Sequence, residues 1–204
     1  MSDSPRVELR PATPEQVALM ARIIRKAFGP VARQWGISRE KLPNYASFET
    51  AAHLRKHMVE RRITMFVLYE DDLAIACGGC SPDQEVPSKG WLNRVAVPPA
   101  NQGKGRGKLL VRLLEEELRK RGYLRVRLGC LPHLQGFYEA LGYEVMGSWH
   151  IEDWPADLLY MEHDLVPASE AQAAAEGEEE EAVRTSSPAP ANRPSASSRR
   201  RGFR

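Results

Sequence analysis

No apolar run in the 204 residues approaches the length of a membrane span, which needs about 20 residues. The opening Met-Ser-Asp-Ser-Pro-Arg has no apolar stretch of the kind an export signal carries. Three cysteines are an odd number for a secreted disulfide framework and fit a reducing compartment. Charge of one sign is also lacking: the net charge of +2 gives no argument for a nucleic-acid partner. These absences lead us to expect a cytoplasmic protein with no membrane or nucleic-acid partner. The hydrophobic content of 42% is ample for a core, and the length suits one domain with an appendage.

The chain is organised around Val95-Ala-Val-Pro-Pro-Ala-Asn-Gln-Gly-Lys-Gly-Arg-Gly-Lys-Leu-Leu110. A β-branched run stops at Pro98-Pro99, crosses Gly103, Gly105 and Gly107, and opens into a leucine-rich helical pattern. Glycine has no Cβ to keep a ligand away from the backbone. The first turn of a helix offers N–H groups without intrahelical partners, at the positive end of the macrodipole. The two together suit a phosphate or pyrophosphate, and Lys104, Arg106 and Lys108 add positive charge.

Three nucleotide loops compete for this stretch. A P-loop ends in Gly-Lys-Ser/Thr, but Lys108 is followed by Leu109, which leaves no hydroxyl for magnesium. A dinucleotide fingerprint needs Gly-x-Gly-x-x-Gly and an acidic residue about 20 positions on. Here the glycines alternate, and the strand expected at 124–130 has no carboxylate. The third pattern, Gln/Arg-x-x-Gly-x-Gly/Ala, is filled by Gln102-Gly-Lys-Gly105-Arg-Gly107. With Val-Ala-Val-Pro before it and Lys-Leu-Leu after it, this segment resembles the GNAT family of N-acetyltransferases, which bind acetyl-coenzyme A through that motif. Phe137-Tyr-Glu-Ala-Leu-Gly-Tyr143 is similar to the Phe-Tyr-Glu-x-Leu-Gly-Phe segment common in the same family. The resemblance spans 7–165 and is motif-specific over 92–143.

Read in order, 7–10 is a short strand, and Thr13-Pro-Glu-Gln16 opens a helix as a capping box with proline at the first helical position. The apolar spacing from Val17 to Phe28 predicts a helix broken by Gly29-Pro30. An irregular stretch follows, then a second helix over 47–60. Trp35 reads as core; Tyr45 and Phe48 are balanced between core and a substrate groove. Strands at 63–69 and 73–80 form a hairpin around Glu70-Asp-Asp72, and 91–97 is the strand before the loop. The helix over 108–121 buries Leu109, Leu110, Leu113, Leu114 and Leu118, while Glu115, Glu116 and Glu117 face basic residues four positions on across a solvated face. A strand at 124–130, a helix at 134–141 and strands at 143–149 and 158–165 complete an α+β order: a single domain with a mixed, mostly antiparallel sheet flanked by helices. It is also the order of the acetyltransferase fold.

The expected domain is 1–165. From 166 to 204 an acidic block around Glu178 and an Arg-rich end replace apolar patterning, and such a segment cannot offset its ordering entropy. A disordered tail is expected. A nucleic-acid arm is the weaker reading, because only four arginines sit in the last six residues.

The resemblance implies a mechanism. Gln102, Gly103, Lys104, Gly105, Arg106, Gly107 and Lys108 hold the cofactor. The N–H near Val95 polarises the acetyl carbonyl, the backbone around Val97 pairs with the pantetheine arm, and Tyr138 protonates the leaving thiolate. The place where many relatives carry a glutamate is Asn93, whose amide accepts no proton, so the general base is unassigned: either a carboxylate elsewhere orders a water, or the amine arrives deprotonated, or Asn93 only orients substrate. Leu131 stands near where relatives carry a cofactor-binding asparagine, and that contact is not carried over. The acceptor is a primary amine of a small molecule or a peptide; Glu70-Asp-Asp72 and Glu152-Asp153 are acidic stretches that attract such cations. The family's habit allows a homodimer. The alternative is an acyl-CoA-sensing module on the same fold.

Cys77-x-x-Cys80 and Cys130-x-x-His133 imitate a zinc set. The strand carrying the cofactor separates them, so no metal is expected. Cys130 as a covalent way-station is set aside for direct transfer. His53 and His57, one turn apart, read as an exposed pair.

Overall fold

A computed structural model describes residues 5–152, 154 and 156–165. The expected tail at 166–204 and Asp153 lie outside the described residues. Seven strands form one mixed sheet: β1 (Val7–Pro11), β2 (Thr64–Glu70), β3 (Leu73–Pro82), β4 (Lys89–Ala96), β5 (Arg125–Cys130), β6 (Glu144–Trp149) and β7 (Leu158–Asp164). They lie in the order β1-β2-β3-β4-β5-β7-β6, and only β4 and β5 run parallel. The helices are α1 (Val17–Gln34), α2 (Ala51–Glu60), α3 (Arg106–Lys120) and the single turn α4 (Gln135–Glu139). The α+β expectation stands.

Two cores sandwich the sheet. On one face Val17, Met20, Ile24 and Leu54 of α1 and α2 pack on Met65, Val67 and Cys77. On the other, Leu110, Val111, Leu114 and Leu118 of α3 pack on Phe66, Leu68, Val126, Leu128 and Met161. The approach of α3 is close. A Cβ built on Gly78 lies 2.7 Å from a Leu114 methyl, so a larger residue there pushes α3 off the sheet.

Gly29-Pro30 does not end the first helix, which runs on to Gln34 with Pro30 inside it. Proline removes one hydrogen bond and usually strains the residue before it. That residue is Gly29, with no Cβ to strike the proline ring, and Ala32 beyond it is buried. The stop comes at Gly36, φ +63°, where Ile37 N–H bonds Ala32 O at 2.8 Å and Gly36 N–H bonds Arg33 O at 3.3 Å, a Schellman closure. The second helix also starts later than expected: Thr50 caps it through His53 N–H at 3.1 Å, after a separate 3-10 turn at Ala46–Phe48. The hairpin turn at Asp71 and Asp72 holds both residues at positive φ, as a two-residue turn of the I′ type requires.

The solvated glutamate face on α3 is wrong for Glu115, which is 1% exposed. The buried arc of α3 is wider than a leucine stripe and takes in Val111 and Glu115. Glu115 bonds Arg112 at 3.0 Å, three residues back rather than four ahead. Its Oε1 and the Tyr143 hydroxyl are both buried without a hydrogen bond. Burial, then the nearby Glu115 carboxylate, holds the Tyr143 phenol well above its ordinary pKa. Arg119 and Arg121 reach Leu165 O and Thr64 Oγ1 instead of glutamates. Leu109 is exposed, not core.

Candidate active site

Parallel pairing between β4 and β5 covers only Lys89–Trp91 against Arg125–Arg127. Past Trp91 the strands part: β5 continues along β7 to Cys130, while β4 slips against β3 near Cys77 to Gly79 and turns at Arg94, φ +51°. A non-glycine residue at positive φ away from a turn marks a position held by its surroundings. Val95 and Val97 follow on the freed strand, half-buried against the α3-side core. A parted parallel pair leaves backbone groups unladdered inside a protein, which is how a sheet takes up an extended ligand.

The glycine loop lies at the mouth of this opening. Gly103 and Gly105 have φ +77° and +73°, and α3 begins at Arg106 with no side chain capping it. The first-turn N–H groups of Arg106, Gly107 and Lys108 are thus left for an anion. Two side chains pin the loop: Gln102 Nε2 donates to Val97 O and Asn101 Nδ2 to Ile75 O, each at 2.8 Å. Lys104 and Lys108 are exposed. The Arg106 guanidinium is not free, because it clasps Glu70 of the β2–β3 hairpin, and that bond keeps the Glu70 carboxyl below its usual range. Asp72 pairs with Arg10, and Asp71 accepts the Arg6 N–H. The acidic hairpin expected to attract an amine is therefore committed within the protein.

The second motif meets the first. A Cβ on Gly107 would lie 3.4 Å from the Phe137 ring and 4.0 Å from Val97, so α4, the start of α3 and the end of β4 converge. Tyr138 is buried, edge-on to Phe137 at 4.9 Å and to Tyr143 at 5.5 Å. Burial, with a smaller effect from Cys130, raises its pKa, so the phenol keeps its proton at any working pH. Leu131 is buried.

Asn93 lies on the α1–α2 side, donating from Nδ2 to Ser81 Oγ at 3.0 Å and to Trp91 O at 3.1 Å. Both Asn93 and Ser81 line a cleft of about 340 Å³ with Arg61, Asp83, Arg127, Trp91, Trp149 and Tyr160. Its wall is aromatic: Trp91 stacks on Trp149 at 5.9 Å and on Tyr160 at 6.1 Å. Burial pushes the Asp83 carboxyl up, but Arg127 and two backbone N–H groups outweigh it and hold the pKa low. Trp35 is only half-buried, beside His133. Tyr45 is core, between Phe28 and Trp154. Phe48 is half-buried, with the Arg39 guanidinium 5.3 Å over its ring.

A cluster beside the site was not foreseen. Glu49, ahead of α2, is buried; His53 Nδ1 meets its Oε1 at 2.6 Å and Arg94 Nε its Oε2 at 2.8 Å. The His57 ring lies 4.0 Å from that of His53, and both are half-buried rather than exposed. Glu49, His53 and His57 bring one donor atom each within 4.8 Å of one another. Both carboxylate oxygens are already engaged, one by a guanidinium, so the group is an ion-pair network and not a set of metal ligands. The only sequence signal for it was the i, i+4 spacing of Glu49, His53 and His57.

The three cysteines are free and buried. Burial pushes Cys130 up to about 11 and Cys80 up to about 12, and raises Cys77 as well. A thiol so protonated is no way-station for an acyl group. Among the described residues no helix is long and apolar enough to cross a membrane.

A model of the acetyltransferase (GNAT) family matches residues 19–143. The chain is 41% identical over 54 residues to glucosamine 6-phosphate N-acetyltransferase 1 of Oryza sativa subsp. japonica, a match covering 26% of this chain and 33% of that protein. It thus spans about a third of the length of that curated relative. Among solved structures, the PaiA N-acetyltransferase of Thermoplasma acidophilum in complex with coenzyme A superposes with a TM-score of 0.61 at 21% identity, covering 78% of this chain and 99% of that one. The ribosomal-protein-S18-alanine N-acetyltransferase of Escherichia coli gives 0.60 at 19% identity, covering 80% and 96%. At those identities the likeness is one of fold. The match of the family model over more than half the chain, on a sheet that parts at β4 and β5, makes this protein a member of the GNAT acetyltransferase family.

Proposed function

We propose that the chain is an acetyl-coenzyme A-dependent N-acetyltransferase that moves an acetyl group to a primary amine of a small molecule or a peptide by direct attack. One observation carries this reading: the uncapped start of α3 lies against Val97 and Phe137, beyond the point where β4 and β5 part. An anion gripped there can send an extended arm between the strands. Acetyl-coenzyme A would supply the diphosphate, the arm and an activated thioester.

Each residue then has a task. Backbone N–H groups from Gly103 to Lys108 bind the diphosphate, helped by the Lys104 and Lys108 charges; Arg106 gives its N–H alone. Gln102 holds the loop in shape through Val97 O. Val97 pairs with the arm as an added strand, and the Val95 N–H polarises the acetyl carbonyl. Tyr138 donates its proton to the departing sulfur, a role that suits a phenol protonated at all working pH values. Asn93 orients the acceptor in the aromatic cleft.

Calorimetric titration with acetyl-coenzyme A, with NAD and ATP as controls, tests the first half; selective binding is expected. Thiol release with a panel of amines tests the second. The rice relative's name places glucosamine 6-phosphate in that panel, and the E. coli neighbour's name adds a peptide with a free N-terminal alanine. Binding without thiol release from any amine would favour the sensing module. Tyr138→Phe is expected to lower kcat by about 10²-fold with little change in acetyl-coenzyme A affinity, as loss of a general acid does. An unchanged rate removes Tyr138 from the mechanism.

A further inference from the structure

Asn93 takes no proton, yet an amine that arrives as an ammonium must lose one before its lone pair can attack. We propose that His57 is the base that removes it, held in position by His53 and Glu49; this rests on the acetyltransferase reading above. The buried Glu49 carboxylate holds His53 at 2.6 Å, and the two imidazole centroids lie 4.0 Å apart, so His57 packs against a tethered ring. Glu49 bonds His53 and not His57, which leaves the His57 ring nitrogens available to a substrate. The other carboxylate oxygen ties the group to the active strand: Arg94 stands in sequence between Asn93 and Val95, at the turn where β4 leaves β5. On the other side, Arg61 follows His57 by one helical turn and lines the cleft with Asn93 and Ser81. Arg61 and Arg94, whose charges both act on His57, thus link it to the acceptor cleft and to the strand assigned to the acetyl carbonyl.

The charges around His57 suit a base. His53 on its own helix, Arg94 from β4, Arg61 after α2 and Glu49 before it are the groups that act on it. Burial first, then His53 and the two arginines, lower its pKa below the ordinary histidine value, against a smaller pull from Glu49. These influences favour the neutral, proton-accepting form of the ring. In the reaction the ammonium proton passes to the imidazole, the freed amine forms its bond to the acetyl carbon, the carbon–sulfur bond breaks, and the sulfur takes the Tyr138 proton. The attacking nitrogen sheds its second proton as the amide forms, which restores Tyr138 through solvent. The imidazolium is half-exposed and releases its proton to water.

His57→Gln tests this with acetyl-coenzyme A and whichever panel amine the wild type acetylates. At pH 7, kcat/KM for the amine is expected to fall about 10²-fold, with acetyl-coenzyme A affinity by calorimetry within twofold. The deficit is expected to shrink as the pH rises toward the amine's own pKa, where free amine is supplied without a base. Added imidazole is expected to restore part of the rate of His57→Ala. A variant with the rate and pH profile of the wild type overturns the proposal. A loss equal at every pH without imidazole rescue also overturns it, since that marks a structural role. A wild type that binds acetyl-coenzyme A but acetylates no amine sinks the transfer reading, and the base with it.

Discussion

Gly105→Val is expected to leave a folded protein that no longer gives a binding heat with acetyl-coenzyme A. Nothing beyond its chain neighbours lies within 4 Å of a Cβ built at this position, so there is open space for a side chain. Its internal cost is conformational. The backbone stands at φ +73°, which costs a non-glycine residue about 1–2 kcal/mol and lowers the melting temperature by about 2–8 °C for a domain of this size. The ligand side loses far more. An isopropyl group beside the loop is expected to keep a diphosphate off the first-turn N–H groups, and each hydrogen bond to a charged partner is worth about 1.5–3 kcal/mol. Losing two weakens binding by about 10³-fold or beyond. Retention of tight binding would mean the diphosphate lies elsewhere.

Glu49→Ala is the largest expected loss of stability. Its carboxylate is fully buried and neutralises Arg94 while fixing His53, and its carbonyl accepts Arg25 Nη1 at 2.6 Å. Breaking one side of a buried pair costs about 3–5 kcal/mol. Arg94 and His53 each keep a quarter of their side-chain surface and so recover some hydration, which argues for the lower end, about 3 kcal/mol. That corresponds to a melting temperature about 6–12 °C lower. The left-handed turn at Arg94 loses its tether at the same time, so β4 drifts and activity falls in the molecules that stay folded. A melting temperature within 2 °C of the wild type, a shift of about 1 kcal/mol at most, would mean the network adds no net stability.

The elements and the motifs were legible because local chemistry carries them. Gly103, Gly105 and Gly107 before a leucine stripe state a loop and a helix start, and the Phe137–Tyr143 segment states its neighbour. Punctuation misled where context overrode it: Gly29-Pro30 reads as a stop, yet Gly29 relieves the strain its proline creates and the buried surface beyond carries the helix on. Glu115 reads as solvated because a helix period cannot say how wide the buried arc is. The Arg94 tether and the Glu49 network were invisible, since they join residues 45 apart and depend on where β4 departs from β5. The aromatic wall needed the register of β4, β6 and β7 before Trp91, Trp149 and Tyr160 came together.

The burial of all three thiols makes the molecule its own reporter. A thiol reagent reacts with the thiolate, and no cysteine side chain here is both accessible and ionised near neutral pH. During turnover the reagent is therefore expected to count released coenzyme alone, with no background from the catalyst. Denaturant should then expose three reactive equivalents together. A labelling time course in rising urea records the opening of both faces of the sheet, because Cys77 lies on one face and Cys80 and Cys130 on the other.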